Sequence, residues 1–139
     1  MLKSLASTYG ISLVIMLVLD MIWLGSTSGI LYRPQMQGLI REDIRIVPAL
    51  IFYALYAFGL SYLVIYPVLF GAQVNLIDLS VKAALLGLVA YGTYDLTALA
   101  VIQGWSLKLS LIDMAWGAVV SLITANATAF LLKMMGQLP

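Results

Sequence analysis

Long apolar stretches separated by short polar links dominate the chain. Four of them are each about 20 residues or longer, the length that an α-helix needs to cross the hydrocarbon core of a bilayer. They cover residues 5–31, 46–70, 78–101 and 109–134. None shows the short segments of alternating apolar and polar residues that mark a transmembrane β-barrel. The pattern therefore predicts four transmembrane α-helices, each satisfying its own backbone hydrogen bonds in lipid.

The links between these stretches are short. The first, 32–45, is the longest and most polar, and the others span 71–77 and 102–108. Short links make successive helices antiparallel neighbours. We therefore predict an all-α integral membrane protein, a four-transmembrane-helix antiparallel up-down-up-down bundle in which residues 1–139 form a single membrane-embedded domain. Both termini then lie on one side, the terminal side, and the first and third links lie on the other, the loop side.

Composition supports this prediction and narrows the chemistry. Hydrophobic residues make up 63% and charged residues 9% of the 139 residues, too little charge for a soluble domain, a disordered chain or a nucleic-acid-binding protein. The sequence contains no Cys and no His. Iron–sulfur clusters, Cys-ligated zinc and thiol nucleophiles are therefore excluded, and acid–base chemistry is left to Asp, Glu, Tyr and Lys.

Three carboxylates lie inside the predicted spans, at Asp20, Asp95 and Asp113. A charged residue at the centre of a span costs roughly 2.5–3.5 kcal/mol, so intramembrane acids mark functional sites by default. At a rise of about 1.5 Å per residue, all three lie roughly 7–15 Å from the loop side. Aromatic residues lie in the same layer. The candidate ligand-binding or proton-relay residues are Asp20, Trp23, Tyr53, Tyr56, Tyr91, Tyr94, Asp95, Asp113 and Trp116.

Helix periodicity indicates that these acids face the interior. Asp113 continues a stripe of small residues on the fourth helix, the kind of stripe that lets a neighbouring backbone approach closely. Asp95 shares a stripe with Gly87 and Tyr91 on the third helix. In addition, Asp20-Met-Ile-Trp23 recurs as Asp113-Met-Ala-Trp116, which places an acid and an indole on one helix face.

Capping supplies a structural alternative for one of the acids. Ser110 followed by Asp113 fits a capping box at the start of the fourth helix, and Asp78 fits the N-cap of the third. In that alternative Asp113 only caps a helix.

A resemblance to a known family rests on four segments: Ala90-Tyr-Gly-Thr-Tyr-Asp-Leu-Thr97, Gly104-Trp105, Asp113-Met-Ala-Trp-Gly117 and Asp20-Met-Ile-Trp-Leu-Gly25. Together they resemble the bacterial membrane-protein family known as domain of unknown function 2177, over nearly the whole chain. Ala98 stands where that family usually has Asn. The resemblance implies a small, multi-pass protein of the bacterial inner (cell) membrane with four helices, and it implies no activity.

Three functional interpretations are compatible with the buried layer. A carboxylate ringed by Tyr and Trp suits binding or proton-coupled transport of a small hydrophobic or cationic molecule, which is the favoured interpretation. A membrane-embedded enzyme acting on a lipid or isoprenoid is the alternative, in which the Asp residues hold Mg²⁺ or act as acid and base. In the third interpretation, the polar residues join the helices of a structural membrane subunit.

The sequence also sets expectations about cofactors and partners. No cofactor or dedicated metal site is predicted, and no nucleic acid is expected as a partner. The expected partners are the lipid bilayer and a small hydrophobic or lipid ligand. Small four-helix multidrug exporters place a buried acid and aromatic residues in a dimer, and this analogy leaves a homo-oligomer open.

Overall fold

The computed structural model describes residues 2–138. These residues form four helices, each long and apolar enough to cross a membrane: α1, Leu2–Gln35; α2, Ile46–Leu69; α3, Leu76–Val101; and α4, Leu107–Met134. No β-strand occurs between residues 2 and 138. The predicted all-α membrane fold with four helices is therefore confirmed.

Helices α1 and α2 each contain a widened π-helical turn close to a proline. The turns span Ser28–Tyr32 and Ser61–Ile65, and Pro34 and Pro67 follow them. Proline has no N–H to donate, and its ring clashes with the carbonyl four residues earlier. A π turn relieves this conflict without ending the helix. Helix α1 therefore continues to Gln35, four residues beyond its predicted end, and the first link shortens to 36–45.

Helices α3 and α4 begin earlier than predicted, because residues nearer the links cap them. The Asn75 side chain accepts hydrogen bonds from the backbone N–H groups of Ile77 at 2.9 Å and Asp78 at 3.1 Å. Asp78 is therefore not the N-cap, and it instead forms an ion pair with Lys82 at 2.7 Å.

The capping alternative for Asp113 is wrong for the same reason. Ser106 caps α4, since its hydroxyl accepts from the backbone N–H of Leu109 at 3.1 Å. Ser110 lies inside the helix and donates towards the backbone carbonyl of Asp95 at 3.4 Å. Asp113 is therefore free for another role.

The closest helix pair is α3 with α4. A Cβ atom added at Gly87 would overlap the carbonyl oxygen of Gly117, and one added at Gly117 would overlap the ring of Tyr91. The small-residue stripe of α4 is buried at Gly117, Ser121, Ala125 and Ala129. The two glycines therefore set the distance between the helices.

The bundle has a packed terminal half and an open loop half. The apolar core lies mostly in the terminal half, with Met16, Leu60, Ile65, Leu69, Leu79, Ala125 and Leu132. One pair of polar side chains is buried there: the hydroxyls of Ser12 and Thr128 lie 3.1 Å apart. In the loop half, the start of α2 packs mainly against α1. This arrangement leaves space between α2 and the helices α3 and α4.

Candidate functional site

A cavity of about 590 Å³ occupies the open loop half of the bundle. Cavities of this size hold small-molecule ligands in other proteins. All four helices contribute to it, with acids and aromatic rings on its wall. Its lining consists of Asp20, Trp23, Leu24, Tyr32, Pro48, Ala49, Phe52, Tyr53, Ala90, Tyr91, Tyr94, Asp113 and Trp116.

Two stacked indoles form the centre of the wall. The rings of Trp23 on α1 and Trp116 on α4 lie with centroids 4.3 Å apart and an interplanar angle of 5°. Each indole N–H is linked to the acid of the other helix, Trp116 directly and Trp23 through Tyr32. Trp116 Nε1 donates directly to Asp20 at 2.7 Å, whereas Trp23 Nε1 donates to the Tyr32 hydroxyl at 2.9 Å.

Neutral hydrogen-bond donors surround the Asp20 carboxylate. Its side chain is buried, and besides Trp116 it accepts from the Tyr91 hydroxyl at 3.5 Å. The Tyr53 hydroxyl also faces the carboxylate. Neutral donors satisfy the oxygen lone pairs but do not neutralise the charge.

Asp113 is held by a residue that the sequence analysis did not single out. The Tyr32 hydroxyl donates to Oδ1 of Asp113, so that Tyr32 connects Trp23 to this acid. Nine residues amount to 2.5 turns of a regular α-helix, which would place Tyr32 on the face opposite Trp23. The π turn at Ser28–Tyr32 changes this phase. Tyr32 was assigned to the first link, and only the nearby Pro34 hinted at an irregular helix.

Asp95 lies behind the cavity wall. It does not line the cavity, and its side chain is only 1% exposed. Neither carboxyl oxygen accepts a hydrogen bond from a donor among residues 2–138. Its carboxyl group interacts electrostatically with that of Asp113.

The remaining predicted site residues lie at the margins of this arrangement. Tyr56 is buried beneath the cavity and shares a hydrogen bond of 2.7 Å with Ser121. Tyr94 lines the cavity edge, and its ring packs edge-on against Trp105. Phe52 completes the aromatic wall by packing against Tyr53, Tyr56 and Tyr91. The sequence analysis did not select Phe52.

The cavity wall carries acids but no bases. Asp20 and Asp113 line it, and no Lys or Arg occurs among its described lining residues. Within residues 2–138, no three side chains of Asp, Glu, Cys or His cluster closely enough to hold a metal ion. The wall therefore suits a cation.

A second cavity adjoins the first on the loop side. It has a volume of about 740 Å³ and shares Leu24 and Tyr32 with the first cavity. Arg33, Arg41 and Glu42 line its outer part. The second cavity therefore lies between the aromatic wall and the charged first link.

Comparison with known families bears on the whole of this site. Residues 5–130 match the family described as "Predicted membrane protein (DUF2177)". The chain belongs to this family. The matched range includes every residue that lines the first cavity, and the resemblance seen in the sequence is confirmed. No curated protein and no solved structure matches the chain.

Membership of the DUF2177 family agrees with the fold. The family description and the four apolar helices together show a multi-pass membrane protein. The family description assigns no substrate or reaction, so the function has to be argued from the cavity.

Proposed function

We propose that this member of the DUF2177 family binds a small organic cation with apolar substituents and carries it across the bacterial inner membrane in exchange for protons. The observation that carries the proposal is the cavity wall, which combines two carboxyl groups with stacked and edge-on aromatic rings. The inner-membrane location is supported by the sequence's resemblance to a bacterial family and by its four spans.

The chemistry of the wall favours a cation over a neutral ligand. An aromatic ring attracts a cation through its electron-rich face, and this attraction increases when water is excluded. Asp20 and Asp113 supply negative charge that no lining Lys or Arg neutralises. A ligand with a delocalised or quaternary charge fits best, because its apolar substituents offset the loss of hydration in a wall that is otherwise aromatic and aliphatic.

Equilibrium dialysis of the purified protein in lipid nanodiscs tests the binding step, with tetraphenylphosphonium as the probe. We expect saturable binding, and we expect Asp20→Asn or Asp113→Asn to weaken it by roughly tenfold or more, because each removes a desolvated charge partner. Asp43→Asn is the matched control, since Asp43 lies in the exposed first link and pairs with Arg41. Equal affinities for the wild-type, D20N and D43N proteins would contradict the proposal.

Transport is tested in liposomes that contain a trapped pH indicator. Addition of tetraphenylphosphonium outside should release protons from vesicles that contain the wild-type protein. The neutral relative triphenylphosphine oxide should release none. Proton movement that is the same with both compounds would indicate a non-specific leak.

The second cavity favours one alternative, a membrane enzyme or binding protein for an anionic lipid or isoprenoid phosphate. The guanidinium groups of Arg33 and Arg41 would hold the phosphate, and the aromatic cavity would hold part of the apolar chain. Loss of binding to anionic-lipid vesicles in an R33Q/R41Q variant, together with unchanged binding in D20N, would favour this alternative.

A further inference from the structure

The binding proposal leaves one buried acid unused. Asp95 is 1% exposed and does not line the cavity, and neither of its carboxyl oxygens accepts a hydrogen bond from any donor within residues 2–138. Buried polar groups are nearly always hydrogen-bonded, so an exception of this kind calls for a physical explanation.

The groups around Asp95 offer no counter-charge. Asp95 lies against the start of α4, where the Ser110 hydroxyl donates to its backbone carbonyl at 3.4 Å, and Asp113 follows Ser110 by about one helical turn. Tyr32 of α1 and Tyr94 of its own helix are the other titratable neighbours. Helix α2 contains no Asp, Glu, Lys or Arg between Ile46 and Leu69. The ion pairs found within residues 2–138 are Arg41 with Asp43 and Lys82 with Asp78, and neither involves Asp95.

An isolated ionised carboxylate in such surroundings is very costly, whereas a neutral carboxylic acid is tolerated. A neutral carboxylic acid is also a hydrogen-bond donor, which an ionised one is not. Asp113 already accepts one hydrogen bond from Tyr32 and has lone pairs left for another.

We propose that Asp95 is a proton-binding residue, and that its neutral acid donates a hydrogen bond to the Asp113 carboxylate and so positions it for the cation. The pair then holds one proton and one negative charge. The cation neutralises that charge when it binds. This inference rests on the proposed cation site, and Asp95 is a positioning residue within it.

Infrared spectroscopy in the absence of any cation tests the protonation step. We expect a carboxylic-acid C=O band at neutral pH in the wild-type protein, and we expect Asp95→Asn to remove it. Asp43→Asn, which alters an exposed acid, should leave the band unchanged. If the wild-type protein shows no such band, or if the band is as strong in D95N as in the wild-type protein, Asp95 does not hold the proton. This measurement needs no ligand, so it stands even if cation binding fails.

Tetraphenylphosphonium binding tests the positioning step. An Asn side chain can donate the same hydrogen bond, whereas Leu of similar size cannot. We therefore expect D95N to bind the probe with an affinity close to that of the wild-type protein. We expect D95L to lose roughly tenfold or more in affinity. Equal losses in the two variants would contradict the donor role. Circular dichroism and gel filtration check that each variant is folded. If D95L does not fold, the comparison of D95N with the wild-type protein still decides the outcome. A tenfold loss of affinity in D95N overturns the donor role.

Discussion

At the scale of single residues, the site rests on a crosswise pairing of two helices. Each of the segments that begin at Asp20 and Asp113 contributes an acid and, three residues later, an indole. The indoles stack on each other, and each N–H is directed towards the other helix's acid, in one case through Tyr32. The two links differ, since Trp116 reaches Asp20 directly and Trp23 reaches Asp113 through Tyr32. This arrangement gives the sequence echo a structural meaning.

The bond between Trp116 and Asp20 can be measured by a double-mutant cycle. Trp116→Phe keeps most of the ring but removes the N–H that Asp20 accepts at 2.7 Å. We expect W116F to lower the free energy of unfolding in detergent by about 1–3 kcal/mol, because a charged acceptor loses a partner. Combined with Asp20→Asn, the two effects should be non-additive. Purely additive losses would show that the two side chains do not interact.

Tyr32 offers a second prediction at this scale. Tyr32→Phe removes one hydroxyl but leaves two groups without a partner, Trp23 Nε1 and Oδ1 of Asp113. We expect a loss of roughly 1–3 kcal/mol in the free energy of unfolding, together with weaker binding of tetraphenylphosphonium. Tyr62→Phe is the matched control, because the Tyr62 side chain is 54% exposed on the outer surface of α2. Similar changes in stability and in binding in both variants would show that the Tyr32 hydroxyl is not part of the site.

The sequence predicted the acids of this layer better than their partners. Asp20, Asp95 and Asp113 stand out because charge is costly within a span, whatever the details of packing. The role of Tyr32 depends on the π turn before it, and the unpartnered state of Asp95 depends on side-chain geometry. Neither depends on hydrophobic periodicity, so neither could be read from the pattern.

At the scale of helices, the contact between α3 and α4 is governed by two glycines. Gly87 faces the backbone of Gly117, and the Tyr91 ring packs against Gly117. The same pair of helices remains in contact near the acids, where the Ser110 hydroxyl donates to the backbone carbonyl of Asp95 at 3.4 Å. We therefore expect a wider contact between α3 and α4 to move Asp95 away from Asp113 as well as to lower the stability of the protein.

Alanine substitution at these glycines tests the close contact. A methyl group at Gly87 would meet backbone atoms that cannot rotate away, so we expect Gly87→Ala to destabilise the protein by roughly 1–3 kcal/mol or more. Gly10→Ala is the control, since a Cβ at Gly10 meets nothing within 4 Å. Alanine is the better helix former, so G10A should be neutral or slightly stabilising. Thermal unfolding in detergent compares them, and equal stability of G87A and G10A would contradict the packing.

Helix ends were less predictable than helix existence. Asp78 and Ser110 carry the residue types that favour capping, but Asn75 and Ser106, a few residues earlier, actually cap α3 and α4. Several residues near a link have suitable side chains, and backbone geometry decides among them. The π turns near Pro34 and Pro67 are local responses to proline that hydropathy does not reveal.

At the scale of the whole molecule, four helices of spanning length and short links leave little choice of topology. This is why the predicted membrane bundle is confirmed. The division into a packed terminal half and an open loop half was only partly predictable. The sequence places the acids in the loop half, but the separation of the start of α2 from α3 and α4 is a result of packing.

Cysteine labelling tests this topology directly. The chain has no native Cys, and each link and the C-terminal region contain a Gln: Gln37, Gln73, Gln103 and Gln137. We expect Gln37→Cys and Gln103→Cys to react with a membrane-impermeant maleimide from one side of the membrane, and Gln73→Cys and Gln137→Cys from the other. Labelling of Q37C and Q137C from the same side would contradict the four-span bundle.

The packed terminal half also has an electrical consequence. Membrane voltage falls across the part of a protein that excludes ions. Here that part is the packed half, since both cavities lie in the loop half. Moving one elementary charge through 100 mV changes its energy by about 2.3 kcal/mol. In the proposed transport, a cation that enters from the loop side therefore crosses little of the voltage, and its passage to the terminal side crosses most of it. The orientation of the bundle in the membrane thus decides whether the resting potential drives that passage or opposes it.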